Sequence, residues 1–222
     1  MLFRDRVEAG RFLAAKLRRF LNRSDVIVLA LPRGGVPVAY QVATALDLPM
    51  DIFIVRKLGV PGHEELAMGA IASGGVRVSN EDVVQSLKIP ESVIETAAAM
   101  ATHELERRET YYRYGAPPLD IKNKTVILID DGLATGATMR AAAKALRRKG
   151  VKEIVIAVPV AAPSTCKEFE SEVDQIICGA TPEPFYGVGS WYKDFSQTSD
   201  DEVIDLLQKA HAKITEKSSL NQ

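Results

Sequence analysis

Segment 125–138 reads TVILIDDGLATGAT: an apolar run ends in two adjacent carboxylates, Asp130 and Asp131, and a turn carrying Gly132, Thr135, Gly136 and Thr138 follows. Backbone N–H groups at the start of a helix form an anion site, and glycines there let the chain curl around the anion. The Thr135 and Thr138 hydroxyls add further donors. Phosphate is the natural occupant. The two acids would repel a bare phosphate, so they must serve another part of the ligand: hydroxyl groups that donate to them, a magnesium ion, or positive charge developing in a transition state. A phosphorylated sugar meets these demands together.

Two other phosphate-binding patterns are excluded. VILIDD resembles a Walker-B strand, but the chain has no G-x-x-x-x-G-K-[ST], and no G-x-G-x-x-G follows a strand. A second anion-compatible turn, Pro32-Arg33-Gly34-Gly35, follows the apolar run 26–31. A third apolar run ends in Arg56-Lys57 and opens into LGVPGHEEL, where His63 and Glu65 are either proton carriers or solvated loop residues. Near the C-terminus, segment 184–195 groups Phe185, Tyr186, Trp191, Tyr192 and Phe195 with Val188 and Gly189. Such a group either offers a flat base an aromatic face or packs as an aromatic cluster beneath a loop.

Strand-Asp-Asp-x-x-x-Thr-Gly-x-Thr, matched here by Asp130, Asp131, Thr135, Gly136 and Thr138, resembles the 5-phosphoribosyl 1-diphosphate (PRPP) signature of the type I phosphoribosyltransferases. The resemblance implies that residues Ala134, Thr135, Gly136, Ala137 and Thr138 hold the 5′-phosphate while Asp130 and Asp131 contact the ribose hydroxyls. Arg33, Gly34 and Gly35 resemble the family's pyrophosphate loop, where an unusual or cis peptide is expected. Arg56 and Lys57 open what resembles the mobile flap, and with Arg33 they would stabilise the leaving pyrophosphate. Segment 184–195 loosely resembles the base-binding hood of hypoxanthine-guanine relatives, with Phe185 and Trp191 as base contacts. The implied reaction is Mg²⁺-dependent transfer of the phosphoribosyl group to a nitrogenous, purine-like base in nucleotide salvage, with the Mg²⁺ held by no dedicated metal site. A PRPP-sensing regulator without turnover is the alternative. Gly132 departs from the pattern, since relatives carry a branched apolar residue there, and a looser loop is expected.

Positioning these residues requires an α/β scaffold. Apolar runs 26–31, 52–55, 125–129 and 154–160 lack clean alternation, which predicts strands covered on both faces of a parallel sheet, with a fifth strand at 173–178. Periodicity predicts helices at 3–21, 36–46 and 137–149. Arg6 is the polar exception on the apolar side of the first. AMGAIASGG, 67–75, reads as a strand returning from the flap. A helical insertion covers about 79–115, with Asn80 as a cap and Arg107, Arg108 and Arg113 as solvated charges or ligands; its role is open between a second hood, a dimer surface and a lid. The expected organisation is one domain over 1–222: core about 22–78 and 120–180, hood 181–198 and C-terminal helix 199–217, with residues 215–222 frayed.

The chain has 222 residues, 46% hydrophobic and 26% charged, which suits a folded globular chain. Its 28 basic and 29 acidic residues leave a formal charge of −1, giving no bulk case for nucleic acid or an anionic membrane as partner. Cys166 and Cys178 are spaced twelve apart without a CxxC, and the three histidines lack metal-ligand spacing, so neither a disulfide framework nor a zinc site is expected. With no signal-peptide core and no apolar span, a reducing cytoplasm and a homodimer are the remaining expectations.

Overall fold

The computed structural model describes residues 2–220, with side chains through Lys213. In chain order the elements are α1 (Arg6–Lys16), β1 (Val26–Ala30), α2 (Gly35–Leu46), β2 (Met50–Ile52), β3 (Val55–Val60), β4 (His63–Ala72), β5 (Val76–Ser79), α3 (Glu81–Ser86), α4 (Glu91–Arg113), β6 (Thr125–Ile129), α5 (Ala137–Arg148), β7 (Glu153–Val160), α6 (Pro163–Phe169), β8 (Gln175–Ala180) and α7 (Asp200–Leu220). A five-stranded parallel sheet has the order β2-β1-β6-β7-β8. Its central strands are apolar throughout because both faces are covered. Val26, Val28 and Ala30 of β1 pack on the side of α2 and α7, while Ile27 and Leu29 pack on the side of α5 and Phe169. The predicted parallel α/β architecture with helices on both faces is therefore the one observed.

Several expectations are corrected. The run 52–55 is two strands: β2 ends at Ile52, buried Phe53 and Ile54 carry the chain over, and β3 begins a separate antiparallel sheet, β3-β4-β5. An unbroken apolar run conceals that change of sheet, because both halves are buried. Arg56 and Lys57 consequently sit early on β3, just beyond the end of β2, instead of closing a strand of the parallel sheet, and the segment expected as a flap is the hairpin that turns at Pro61-Gly62. The first helix covers only Arg6–Lys16, capped by Asp5, whose Oδ1 accepts from Glu8 N–H at 2.7 Å; Leu17 and Phe20 are buried on a following 3-10 turn. Asn80 does not cap α3, since its amide donates to the Ala67 carbonyl instead. The C-terminal helix continues to Leu220, so the fraying expected from 215 is not seen there, and residues 221–222 lie outside those described.

Cys166 and Cys178 form a disulfide between α6 and β8, against the expectation of none. Packing of α6 against β8 brings the two residues together, a relation that their spacing in sequence does not carry. Arg113, left open as a solvated charge or a ligand, is buried: its guanidinium donates to both Asp51 oxygens, at 2.9 and 3.1 Å, and to the Ile52 carbonyl, which staples the end of α4 to the end of β2. Arg107 and Arg108 pair with Glu104 on their own helix and hold its carboxyl down at about 2.

Candidate active site

The loops after β1 and β6 leave the same end of the sheet and touch. Gly34 is the point of contact, where an added Cβ would overlap Asp131 Oδ2, so only glycine fits. The Pro32-Arg33 peptide just before it is cis. In the second loop, Gly136 adopts φ 75°, a conformation suited to glycine, and opens α5 without a side-chain cap, so the first-turn N–H groups remain available to an anion. Ala134 and Thr135 are exposed at the rim. The loop is braced from below: Leu133 bridges to Ala161 at the end of β7, and the Thr165 hydroxyl of α6 donates to the Ala134 carbonyl at 2.5 Å.

Two carboxylates lie beneath this loop. Burial, together with the neighbouring Asp131 charge, pushes the Asp130 carboxyl well above the usual carboxylate range. Burial also raises Asp131, but Arg6 of α1 opposes the shift. Arg6 Nε and Nη2 both reach Asp131 Oδ2 at 2.8 Å. The Arg6 guanidinium also donates to the Ser196 carbonyl at 2.7 Å and stacks on the Phe195 ring, 4.1 Å from its centroid. The Tyr192 hydroxyl donates to the Asp131 carbonyl at 2.6 Å, and burial raises its pKa above that of an ordinary tyrosine. A signature strand, an anion-ready helix start and a glycine-mediated contact between two loops thus converge. Residues 4–182 match the phosphoribosyl transferase domain. The chain belongs to that family.

The chain is similar along 99% of its length to the Mycobacterium tuberculosis protein Rv0571c, whose name also places it among phosphoribosyl transferases, with 42% identity over 220 residues. The chain spans about half the length of that relative, 49%. The crystal structure of TT1426 from Thermus thermophilus has a TM-score of 0.83 at 37% identity, covering 94% of this chain and 99% of that one. A shorter stretch, 64 residues or 29% of the chain, is 42% identical to a uracil phosphoribosyltransferase of Campylobacter concisus, 31% of whose length it covers.

The other expected site residues are placed as follows. Arg33, beside Gly34 and Gly35, lies 3.6 Å from Asp200 at the start of α7, and the Tyr112 hydroxyl of α4 donates to the same carboxylate at 2.6 Å. Burial and that hydrogen bond push Tyr112 up to about 12. Arg56 is turned to Glu104 of α4 at 3.6 Å, and Lys57 faces a cavity of about 410 Å³ between the antiparallel sheet and the first turns of α5. Ala137 lines the same cavity, which therefore abuts the loop after β6, while Thr138 is half-buried on the first turn of α5. His63 and Glu65 face each other, both exposed, at the hairpin tip. Phe185 and Trp191 are half-buried against the cluster of Phe3, Val160 and Tyr192, and Tyr186 is the open aromatic of that segment.

The sequence reading did not assign site roles to Arg6, Thr165, Tyr192 or Asp200. For Arg6 a signal existed, because a guanidinium on the apolar side of an amphipathic helix needs a buried partner. Thr165, Tyr192 and Asp200 carried none, since each acts through an atom supplied by a distant element. No helix among the described residues is long and apolar enough to cross a membrane.

Proposed function

We propose that this domain transfers the 5-phosphoribosyl group from PRPP to a flat nitrogenous base, purine-like in our reading, and releases pyrophosphate. The observation that carries the proposal is the contact of the two loops at Gly34 and Asp131, because it brings the carboxylate loop after β6 against the Arg33-Gly34-Gly35 turn after β1. In this reading the N–H groups and hydroxyls of Ala134, Thr135, Gly136, Ala137 and Thr138 take the 5′-phosphate. Asp130 and Asp131 accept from the ribose hydroxyls and answer the positive charge that grows at C1. Arg33, the N–H groups of Gly34 and Gly35, Lys57 and, after leaving Glu104, Arg56 would neutralise the departing diphosphate. The C1–oxygen bond breaks while the lone pair of the base nitrogen forms the new bond to C1, and the nitrogen's proton passes to solvent. Holding the reactants in line supplies most of the acceleration, and no covalent nucleophile is needed. Segment 184–195 would receive the base, with Phe185 and Trp191 as its floor.

Among the described residues no group of three His, Cys, Asp or Glu side chains is arranged to hold a metal ion. In this reading the ligands of a magnesium ion would come from the diphosphate and water.

A second reading, PRPP sensing without turnover, is favoured by the pairing of Arg56 with Glu104, which turns one expected leaving-group cation toward the insertion helix. One experiment separates the two. Pyrophosphate release from PRPP is followed against purine bases, uracil and other pyrimidines, with Asp131→Asn as the blank. Release with one base, abolished in the blank, establishes the transferase and names its acceptor. Calorimetric binding of PRPP with no release for any base establishes the sensor, and no binding overturns both.

A further inference from the structure

Arg6 joins three parts of the site that are far apart in sequence. Its guanidinium reaches Asp131 of the phosphate loop, the Ser196 carbonyl and Phe195 of the hood, and it lies beside the pyrophosphate loop, where a Cβ at Gly34 would come within 3.3 Å of Nε. The pair is closed off, with the Arg6 and Asp131 side chains 12% and 14% exposed. Both Arg6 contacts fall on the same carboxylate oxygen, Oδ2. The Asp131 main chain is fixed on either side, by its N–H donating to Asp130 Oδ1 at 2.8 Å and its carbonyl accepting from Tyr192. Among the described residues no other side chain hydrogen-bonds Asp131 Oδ1.

We infer that Arg6 is a positioning residue for sugar recognition: it holds Asp131 through Oδ2, presents Oδ1 to a ribose hydroxyl, and locks the hood onto the phosphate loop in the same contact. This inference rests on the transferase reading above. The Arg113–Asp51 pair uses both oxygens of its carboxylate, whereas Arg6 engages Oδ2 alone. In the transferase reading Asp131 faces the sugar, which leaves its other oxygen for a hydroxyl. A second consequence is electrostatic. Asp131 is faced by the Asp130 carboxylate, the Tyr192 hydroxyl and the Arg6 guanidinium, and beyond Arg6 by Asp194. Arg6 is the only cation in that set, so it is the group that opposes the rise burial imposes on Asp131.

The test compares wild type with Arg6→Gln and Arg6→Lys, measuring PRPP binding by calorimetry from pH 5 to 8 and, where turnover occurs, KM for PRPP and kcat separately. Arg6→Gln is expected to weaken PRPP binding about tenfold or more and to raise KM more than it lowers kcat. It should also move the acidic limb of binding to higher pH, because the ionised carboxylate accepts a hydroxyl more strongly than the neutral acid and now protonates more readily. Arg6→Lys keeps the charge and should return the acidic limb toward its original position even if affinity recovers only in part. Asp131→Asn combined with Arg6→Gln should bind no more weakly than Asp131→Asn alone. Circular dichroism and a thermal melt of each variant separate loss of fold from loss of site. If Arg6→Gln unfolds, Arg6→Lys decides: a wild-type affinity there, from an ammonium that cannot place the guanidinium's paired donors on Oδ2, would overturn the inference, as would unchanged binding in a folded Arg6→Gln. A wild type that binds no PRPP at any pH overturns the transferase reading and this inference together. Wild-type binding matched by both variants overturns this inference alone.

Discussion

Val188 of the hood occupies the volume that a side chain at position 132 would need. A Cβ placed on Gly132 would overlap the Val188 methyl groups, with Cγ2 at 2.7 Å and Cβ at 3.0 Å. The missing side chain of the phosphate loop is thus replaced by one from the hood, so the loop is packed there and not loosened as expected from the glycine. Gly132→Val should destabilise the protein by about 1–3 kcal/mol, the usual cost of overpacking, and displace the hood. Val188→Ala in the same chain should recover most of that loss. Thermal denaturation of the single and double variants checks this. Equal melting temperatures for wild type and Gly132→Val would show that the hood does not rest on this position.

The loop after β6 is braced by α6. Thr165 donates to the Ala134 carbonyl, and both Thr165 and Phe169 press against Gly136. Thr165→Val keeps the shape but leaves that carbonyl without its donor. Expected are a stability loss of about 1 kcal/mol and a several-fold rise in the PRPP dissociation constant. Calorimetry with PRPP reads the second effect. An unchanged dissociation constant would mean that the loop holds its form without α6.

Much of this site was legible because its parts are local. Asp130, Asp131, Thr135, Gly136 and Thr138 lie within one turn, and the strand before them is apolar throughout because it is buried on both faces. Residues that act across the sheet were not legible. Arg6 meets Asp131 across 125 positions, and its one trace in the sequence was a charge on an apolar stripe. The break between β2 and β3 was hidden because Phe53 and Ile54 are as apolar as the strands they separate. The Cys166–Cys178 disulfide escaped for a related reason: pairing is decided by how α6 docks on β8, and spacing alone does not encode docking.

That disulfide anchors the helix that carries Thr165. Its reduction by a dithiol, which gives two thiols and an oxidised dithiol, frees a short loop closed by residues 12 apart. For loops of about this size the loss is about 3 kcal/mol. Melting temperature should fall on reduction, and the Cys166→Ser/Cys178→Ser variant should match the reduced wild type. A variant as stable as the oxidised protein would show that α6 is held by packing alone.

The buried Arg113–Asp51 pair ties the α4 insertion to the core. Asp51 also accepts from Leu119 N–H at 3.2 Å, so one carboxylate fixes both the end of the helix and the chain that follows it. Arg113→Met strands a buried charge and should cost about 3–5 kcal/mol. Adding Asp51→Asn removes that charge and should restore part of the loss. Urea denaturation of the three variants measures it, and a loss below about 1 kcal/mol for Arg113→Met would mean that Asp51 finds water when its partner is gone.

Asp130 carries a charge that the fold disfavours. Its folded pKa lies above its unfolded value, because burial and Asp131 both disfavour the charge. The folded form therefore holds its proton more tightly than the unfolded chain does, and ionisation of Asp130 destabilises the fold. That penalty is absent below the unfolded pKa of about 4, grows as pH rises, and is complete above the raised folded pKa. Asp130→Asn keeps an oxygen for the Asp131 N–H while removing the charge. It should melt higher than wild type at pH 7, lose that advantage as pH falls toward 4, and bind PRPP at least tenfold more weakly, since a neutral amide is a poorer acceptor for a hydroxyl than a carboxylate. Paired melts at pH 7 and pH 4 with PRPP titrations test both halves. A variant less stable than wild type at pH 7 would mean that the Asp130 charge is already compensated within the fold.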